Sequence, residues 1–136
     1  MARHSTSAHE TPGLHTVRPH LIVRDARAAI DFYRRVFDAT ELELHTTPAG
    51  SVAHAKLRVG DAIVELGEHP QAAAPATEPL PRIGLRHYVP DVDATHARAL
   101  ATGATGDAPS DRLPGTRSAT VYDPFGVTWW LATPKP

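Results

Sequence analysis

Glu65, Arg18, His20, Arg86, Tyr88 and Trp130 are the side chains of this 136-residue chain whose types and placement could do chemistry together. Strand alternation puts them on one face, with Ile22, Ile63, Gly84 and Thr128, while Val17, Pro19, Leu21, Val23, Val64, Leu66, Leu85, His87, Val89, Trp129 and Leu131 turn the other way. Glu65 is the catalytic candidate, because a carboxylate buried beside aromatics gains basicity and can take a proton. The plainer reading pairs it with Arg18 or Arg86. Arg18, His20, Arg86, Tyr88 and Trp130 are the ligand-binding candidates. Aromatic faces stack a planar ring, and guanidinium groups neutralise an anion.

Other constellations are weaker. Ser51, Ser110 and Ser118 lack the strand-turn-helix setting of a serine nucleophile. The absence of cysteine excludes thiolate chemistry and disulfides. Of nine histidines, His4 and His9 fall in a polar leading segment, and none pair at helical spacing; His96 reads as solvated.

The elements that must position these side chains follow from periodicity. A strand over His15–Val23 precedes a helix over Ala26–Phe37 capped by Asp25, with Ala29, Ile30, Tyr33, Val36 and Phe37 in its apolar stripe. Strands over Glu41–Thr46, Ser51–Val59 and Ala62–Gly67 follow. Residues 69–82, with prolines at 70, 75, 79 and 81, read as a linker. The order then repeats: a strand over Ile83–Val89, a helix over Val92–Thr102 capped by Asp91 and stopped by Gly103, and strands over Thr105–Ser110, Thr116–Tyr122 and Val127–Thr133. Ala94, Ala97, Leu100 and Ala101 are expected to face inward on the second helix.

The interval from Val23 to Gly60 equals that from Val89 to Gly126, and Asp25 and Asp91 share the offset of Val23 and Val89. Glu65-Leu66 and Trp130-Leu131 close the halves alike, one residue out of step. Two tandem βαβββ modules in an α+β fold follow: a tail over 1–13, then one domain over 14–136, comprising module one (14–68), linker (69–82) and module two (83–133).

The chain resembles the vicinal-oxygen-chelate superfamily (glyoxalases, bleomycin-resistance proteins and dioxygenases), and within it the PhnB-like branch. The likeness rests on Pro19-His20-Leu21-Ile22-Val23, Ala28 to Tyr33, Val36-Phe37, Val52 to Ala55, Val59-Gly60-Asp61, Tyr88 to Ala94, Gly103-Ala104, Asp123-Pro124-Phe125-Gly126 and Trp129-Trp130. Asp38 stands where relatives usually carry glycine, and aspartate tolerates the left-handed conformation needed there. Arg117 after Gly115 resembles a Gly-x-Arg element of the PhnB-like branch, a gating or lining residue or simply a surface one.

The resemblance implies a half-barrel cavity and a homodimer. Metal-dependent relatives place His or Glu at four positions that correspond here to Arg18, Glu65, Gly84 and Trp130, and of these only Glu65 can ligate. The expectation is therefore no metal and no cofactor. The exception is a displaced divalent site using His20 or His54 with Glu65, against the plainer reading that His20 hydrogen-bonds in the pocket and His54 packs or pairs at the sheet surface. The function expected is a small-molecule-binding protein that holds or sequesters a planar or anionic metabolite or antibiotic. The alternative is a lyase, isomerase or dioxygenase-type enzyme with Glu65 as base or a displaced metal. A net charge of -1, without a basic stripe, gives no purchase for nucleic acid or membrane, and the polar leading residues imply a cytoplasmic protein.

Overall fold

The structure, a computed structural model, describes residues 17–72, 83–111 and 114–135. The tail over 1–13, the strand start at His15 and most of the proline-rich linker lie outside the described residues. Strand β1 (His20–Val23) leads to helix α1 (Ala26–Phe37), then β2 (Thr40–Thr46), β3 (Val52–Val59) and β4 (Ala62–Glu68). The second module runs β5 (Leu85–Tyr88), α2 (Val92–Ala101), β6 (Thr116–Tyr122) and β7 (Thr128–Pro134). One sheet has the order β1-β4-β3-β2 and the other β5-β7-β6, with β1–β4 and β5–β7 parallel. The α+β fold is thus a pair of βαβββ modules, the first strand after α2 being reduced to two isolated bridges.

The segment expected as a strand over Thr105–Ser110 is an irregular one. Thr105, Asp107 and Ser110 bond to the backbone of Tyr122, Thr120 and Ser118, with the two isolated bridges at the ends of that run. Gly106 lies so close to β6 that a Cβ there would sit 1.9 Å from the Thr120 carbonyl oxygen.

Both helices begin as expected, with Asp25 Oδ1 accepting from the Ala28 N–H at 3.0 Å and Asp91 Oδ1 from Ala94 at 3.2 Å. Each such cap is worth about 1 kcal/mol. The last strand of each module adds a second cap. Glu68 Oε2 accepts from Ala26 N at 2.8 Å, and in the other module Thr133 Oγ1 accepts from Val92 N at 2.9 Å. These equivalent contacts lie one residue out of step relative to the helices, as the Leu66 and Leu131 registers implied. Glu68 also accepts from Val52 N through Oε1, so one carboxylate ties α1 to β3 and β4. At the far end of α1, Asp38 adopts φ 57° and ψ 36°, the left-handed conformation that glycine takes most readily.

Several expected positions differ. Val17 is 87% exposed, because regular pairing of β1 begins only at His20. The buried face of α2 is Val92, Thr95, His96 and Ala99, while Ala97, Leu100 and Ala101 are exposed. In a helix this rich in alanine, no stripe carries enough apolar area to declare its rotation. Contact with β6 and β7 decides it. His96 is consequently buried and not solvated, and its Nε2 has no hydrogen-bond partner. Ile63 and Thr128, expected on the open face, are also buried.

The core joins the two modules. From α1, Tyr33 and Phe37 pack on Trp129 of β7 with ring centroids 5.4 and 4.5 Å away, and Phe32 packs on Phe125 at 5.8 Å. Arg98 of α2 reaches the Val36 carbonyl of α1 at 3.2 Å.

Candidate functional site

On the open face of the first sheet, register aligns Glu43, Lys56, Glu65 and His20 across all four strands, with His45 and His54 on the next rung. Glu65 is the hub. Its Oε2 accepts from Arg18 at 3.0 Å, and its Oε1 lies 2.6 Å from His54 Nε2. His20 faces His54 at 6.0 Å between ring centroids, nearly parallel at 22°. One donor atom from each of His20, His54 and Glu65 lies within 4.8 Å of the others. Gly67 makes this possible, since a Cβ there would stand 3.2 Å from His20 Nε2. The His54 hydrogen bond, assisted by Arg18, holds the Glu65 carboxyl below the usual carboxylate range against the partial burial that would raise it. An acid so stabilised in its charged form is a weak base. Lys56 is drawn to Glu43 instead, at 3.1 Å.

On the second sheet, Arg86 and Trp130 are cross-strand partners, and Trp130 also pairs with Thr120. The Trp130 indole lies over Gly84, where a Cβ would meet the ring at 2.5 Å. Arg86, Trp130, Thr120, Ser110, Ser118 and Asp107 border a hollow of about 180 Å³.

Two larger clefts run along the seam between the sheets. One, of about 440 Å³, has apolar walls from Val59, Val64, Leu85 and Trp129 and polar groups from Asp61, Arg86, His87 and Tyr88. The other, of about 420 Å³, is lined by His20, Ile22, Ile83 and Gly84 among others. The first joins the start of β1 to the end of β5 and the second does the reverse, so these edge strands run in opposite directions across the seam. Burial lowers the His87 pKa, and its Nδ1 has no hydrogen-bond partner.

The sequence candidates therefore fall into groups. Arg18, His20 and Glu65 meet on the first sheet; Arg86 and Trp130 meet on the second; Tyr88, 65% exposed, stands with Arg86 at the larger cleft. That cleft does not include the His54–Glu65 pair. The four positions used by metal-dependent relatives do not fit an ion: Arg18 is engaged with Glu65, Gly84 has no side chain, and the Trp130 ring fills the space above it. Arg117 grips Asp93 through two hydrogen bonds of 2.6 and 2.8 Å and contacts Asp111, as a surface clamp. His54, left in the sequence as a residue packing or pairing at the sheet surface, is the direct partner of Glu65, because β3–β4 register turns His54 and Lys56 to the face of Glu65. Asp123, read only as a turn residue, is fully buried and accepts from Tyr33, Trp129, Phe125 and Val127.

Residues 13–131 match the profile of the Glyoxalase/Bleomycin resistance protein/Dioxygenase superfamily. An uncharacterized protein of Mycobacterium bovis is 42% identical over 123 residues, 85% of this chain and 81% of that protein. Among solved structures, TioX from Micromonospora sp. ML1 superposes with a TM-score of 0.66 at 26% identity, covering 86% of this chain and 98% of TioX. The PhnB protein from Bacillus cereus gives a TM-score of 0.70 at 16% identity over 88% of this chain and 99% of its own, a likeness of fold. The chain belongs to the glyoxalase/bleomycin resistance protein/dioxygenase superfamily.

Proposed function

We propose that the protein binds a small planar or anionic organic molecule, a metabolite or an antibiotic, in the seam between its two sheets. The observation that carries this reading is the composition of the 440 Å³ cleft: apolar walls, with Asp61, Arg86, His87 and Tyr88 as its few polar groups. That is the usual makeup of a ligand site, in which apolar area supplies affinity and a few polar groups fix orientation. Arg86 would neutralise an anion and Tyr88 would stack a ring. Holding or sequestering such a molecule needs no chemistry at Glu65.

A second reading, an enzyme of the lyase, isomerase or dioxygenase type, draws its support from the His54–Glu65 contact of 2.6 Å. Its version with Glu65 as a general base is weakened by the two partners that stabilise the carboxylate. The same proposal includes a homodimer, which sedimentation equilibrium tests, and a cytoplasmic location. No helix among the described residues is long and apolar enough to cross a membrane.

Thermal-shift screening against planar aromatic carboxylates and antibiotics tests the binding reading. The expected result is a saturable stabilisation by at least one compound that Arg86→Gln abolishes. No stabilisation across the panel, or one unchanged in Arg86→Gln, overturns it.

A further inference from the structure

We propose that His20, His54 and Glu65 form a site for one borderline divalent cation of the zinc, cobalt or nickel kind, built entirely on module one. This takes up the displaced site that the sequence left as the exception to a metal-free protein, now with both histidines together. It is also not the arrangement of metal-dependent relatives, because two of their four positions, Gly84 and Trp130, belong to module two and are closed by the indole.

The geometry begins with three adjacent strands. β4 lies between β1 and β3, and the three donors come one from each, so the hydrogen-bonded ladder itself fixes their spacing. Imidazole and carboxylate ligands bind such ions at roughly 2.0–2.2 Å, so two donors at a tetrahedral angle stand about 3.4 Å apart. The present cluster spans up to 4.8 Å, so ion binding must draw its widest pair together by roughly 1.4 Å at most. The shortest contact, His54 Nε2 to Glu65 Oε1 at 2.6 Å, is a hydrogen bond that the cation would replace, with the two atoms moving apart.

An ion pair alone accounts for Arg18 and Glu65 but not for two imidazoles gathered beside the same carboxylate. It also leaves unexplained a glycine at position 67 where a methyl group would crowd His20 Nε2 at 3.2 Å. Two imidazoles and one carboxylate suit zinc-like cations better than magnesium or calcium, which take mostly oxygen ligands. Arg18 already balances the charge of Glu65, so a bound dication leaves excess positive charge, and three protein ligands leave open positions. Both features suit an anionic exogenous ligand such as a carboxylate or phosphate oxygen. The site is separate from the 440 Å³ cleft of the binding reading, which none of His20, His54 and Glu65 lines, so it stands or falls independently of that reading.

The test is titration of the full, untagged, chelator-treated chain with Co²⁺ and Zn²⁺, followed by isothermal calorimetry and, for cobalt, by visible absorption. One ion per chain is expected, with cobalt bands characteristic of mixed nitrogen and oxygen ligation. His20→Ala and His54→Ala should each weaken binding by at least the roughly 10–100-fold that loss of even an outer-shell partner costs. His20 is exposed, so its variant should fold normally, and circular dichroism checks this. Gly67→Ala should weaken binding in the same direction by displacing His20. No saturable binding overturns the proposal. So does stoichiometric binding that survives in both histidine variants, which would assign the ion to other histidines such as His4 and His9.

Discussion

Tyr33 Oη donates to Asp123 Oδ2 at 2.6 Å in the fully buried core, joining helix α1 of one module to the turn before β7 of the other. Trp129 Nε1 donates to the same oxygen at 2.9 Å, and the Phe125 and Val127 N–H groups serve Oδ1. Removing one donor from a buried, charged acceptor costs about 1.5–3 kcal/mol. Tyr33→Phe should therefore lower the urea unfolding free energy by that amount with little change in secondary structure. Asp123→Asn should do more damage, because one of the two donor pairs would then face an amide NH₂. Equal stability of Tyr33→Phe and the parent chain would remove the keystone role given to this contact.

The carboxylates of Glu65 and Asp123 oppose each other in pH dependence. Glu65 is lowered by His54 and Arg18, so the stability it contributes is present above its unfolded pKa and lost as pH falls through its folded pKa. Asp123 is raised by burial, despite its donors, so its contribution is present below its unfolded pKa and lost as pH rises through its folded pKa. Urea midpoints from acid to neutral pH should show Glu65→Gln destabilising most near neutrality and converging on the parent chain in acid. A constant difference across that range would contradict the assignment.

Asp38 holds φ 57° at the end of α1 with its N–H on the Tyr33 carbonyl. A non-glycine residue in this conformation carries strain of roughly 1 kcal/mol, eased for aspartate. Glycine removes it but adds freedom to the unfolded chain. Asp38→Gly should raise the thermal midpoint modestly, whereas Asp38→Val, with a branched Cβ, should lower it clearly. A fall on Asp38→Gly would mean that the carboxylate does something else there.

The module repeat, both helix N-caps and the boundaries of α1 and β6 were legible because they depend on local signals: Asp before an apolar stripe, alternation, and glycine turns. The rotation of α2 was not, because alanine gives little amphipathic contrast and tertiary contact outvoted the pattern. Alternation put Glu65 and His20 on one face, and adding His54 would have completed the cluster. Its tightness depended on cross-strand register, which sequence spacing does not specify. Asp123 carried no sign of burial, since an Asp-Pro turn is ordinarily solvated. Its partners Tyr33 and Trp129 lie far apart in the chain or on the next strand.

The seat of Trp130 on Gly84 makes a sharp prediction. A methyl group at position 84 would stand 2.5, 2.7 and 2.9 Å from three indole carbons, well inside van der Waals contact, so the ring must move or the strand must shift. Overpacking of this kind costs typically about 1–3 kcal/mol. Gly84→Ala should lose stability in that range and change the tryptophan emission, because the half-buried Trp130 is forced out while Trp129 stays in the core. The hollow beside Arg86 would change shape with it. Because His20, His54 and Glu65 sit on the other sheet, cobalt binding there should survive the substitution. Loss of cobalt binding in a folded Gly84→Ala chain would instead place part of the metal site in module two.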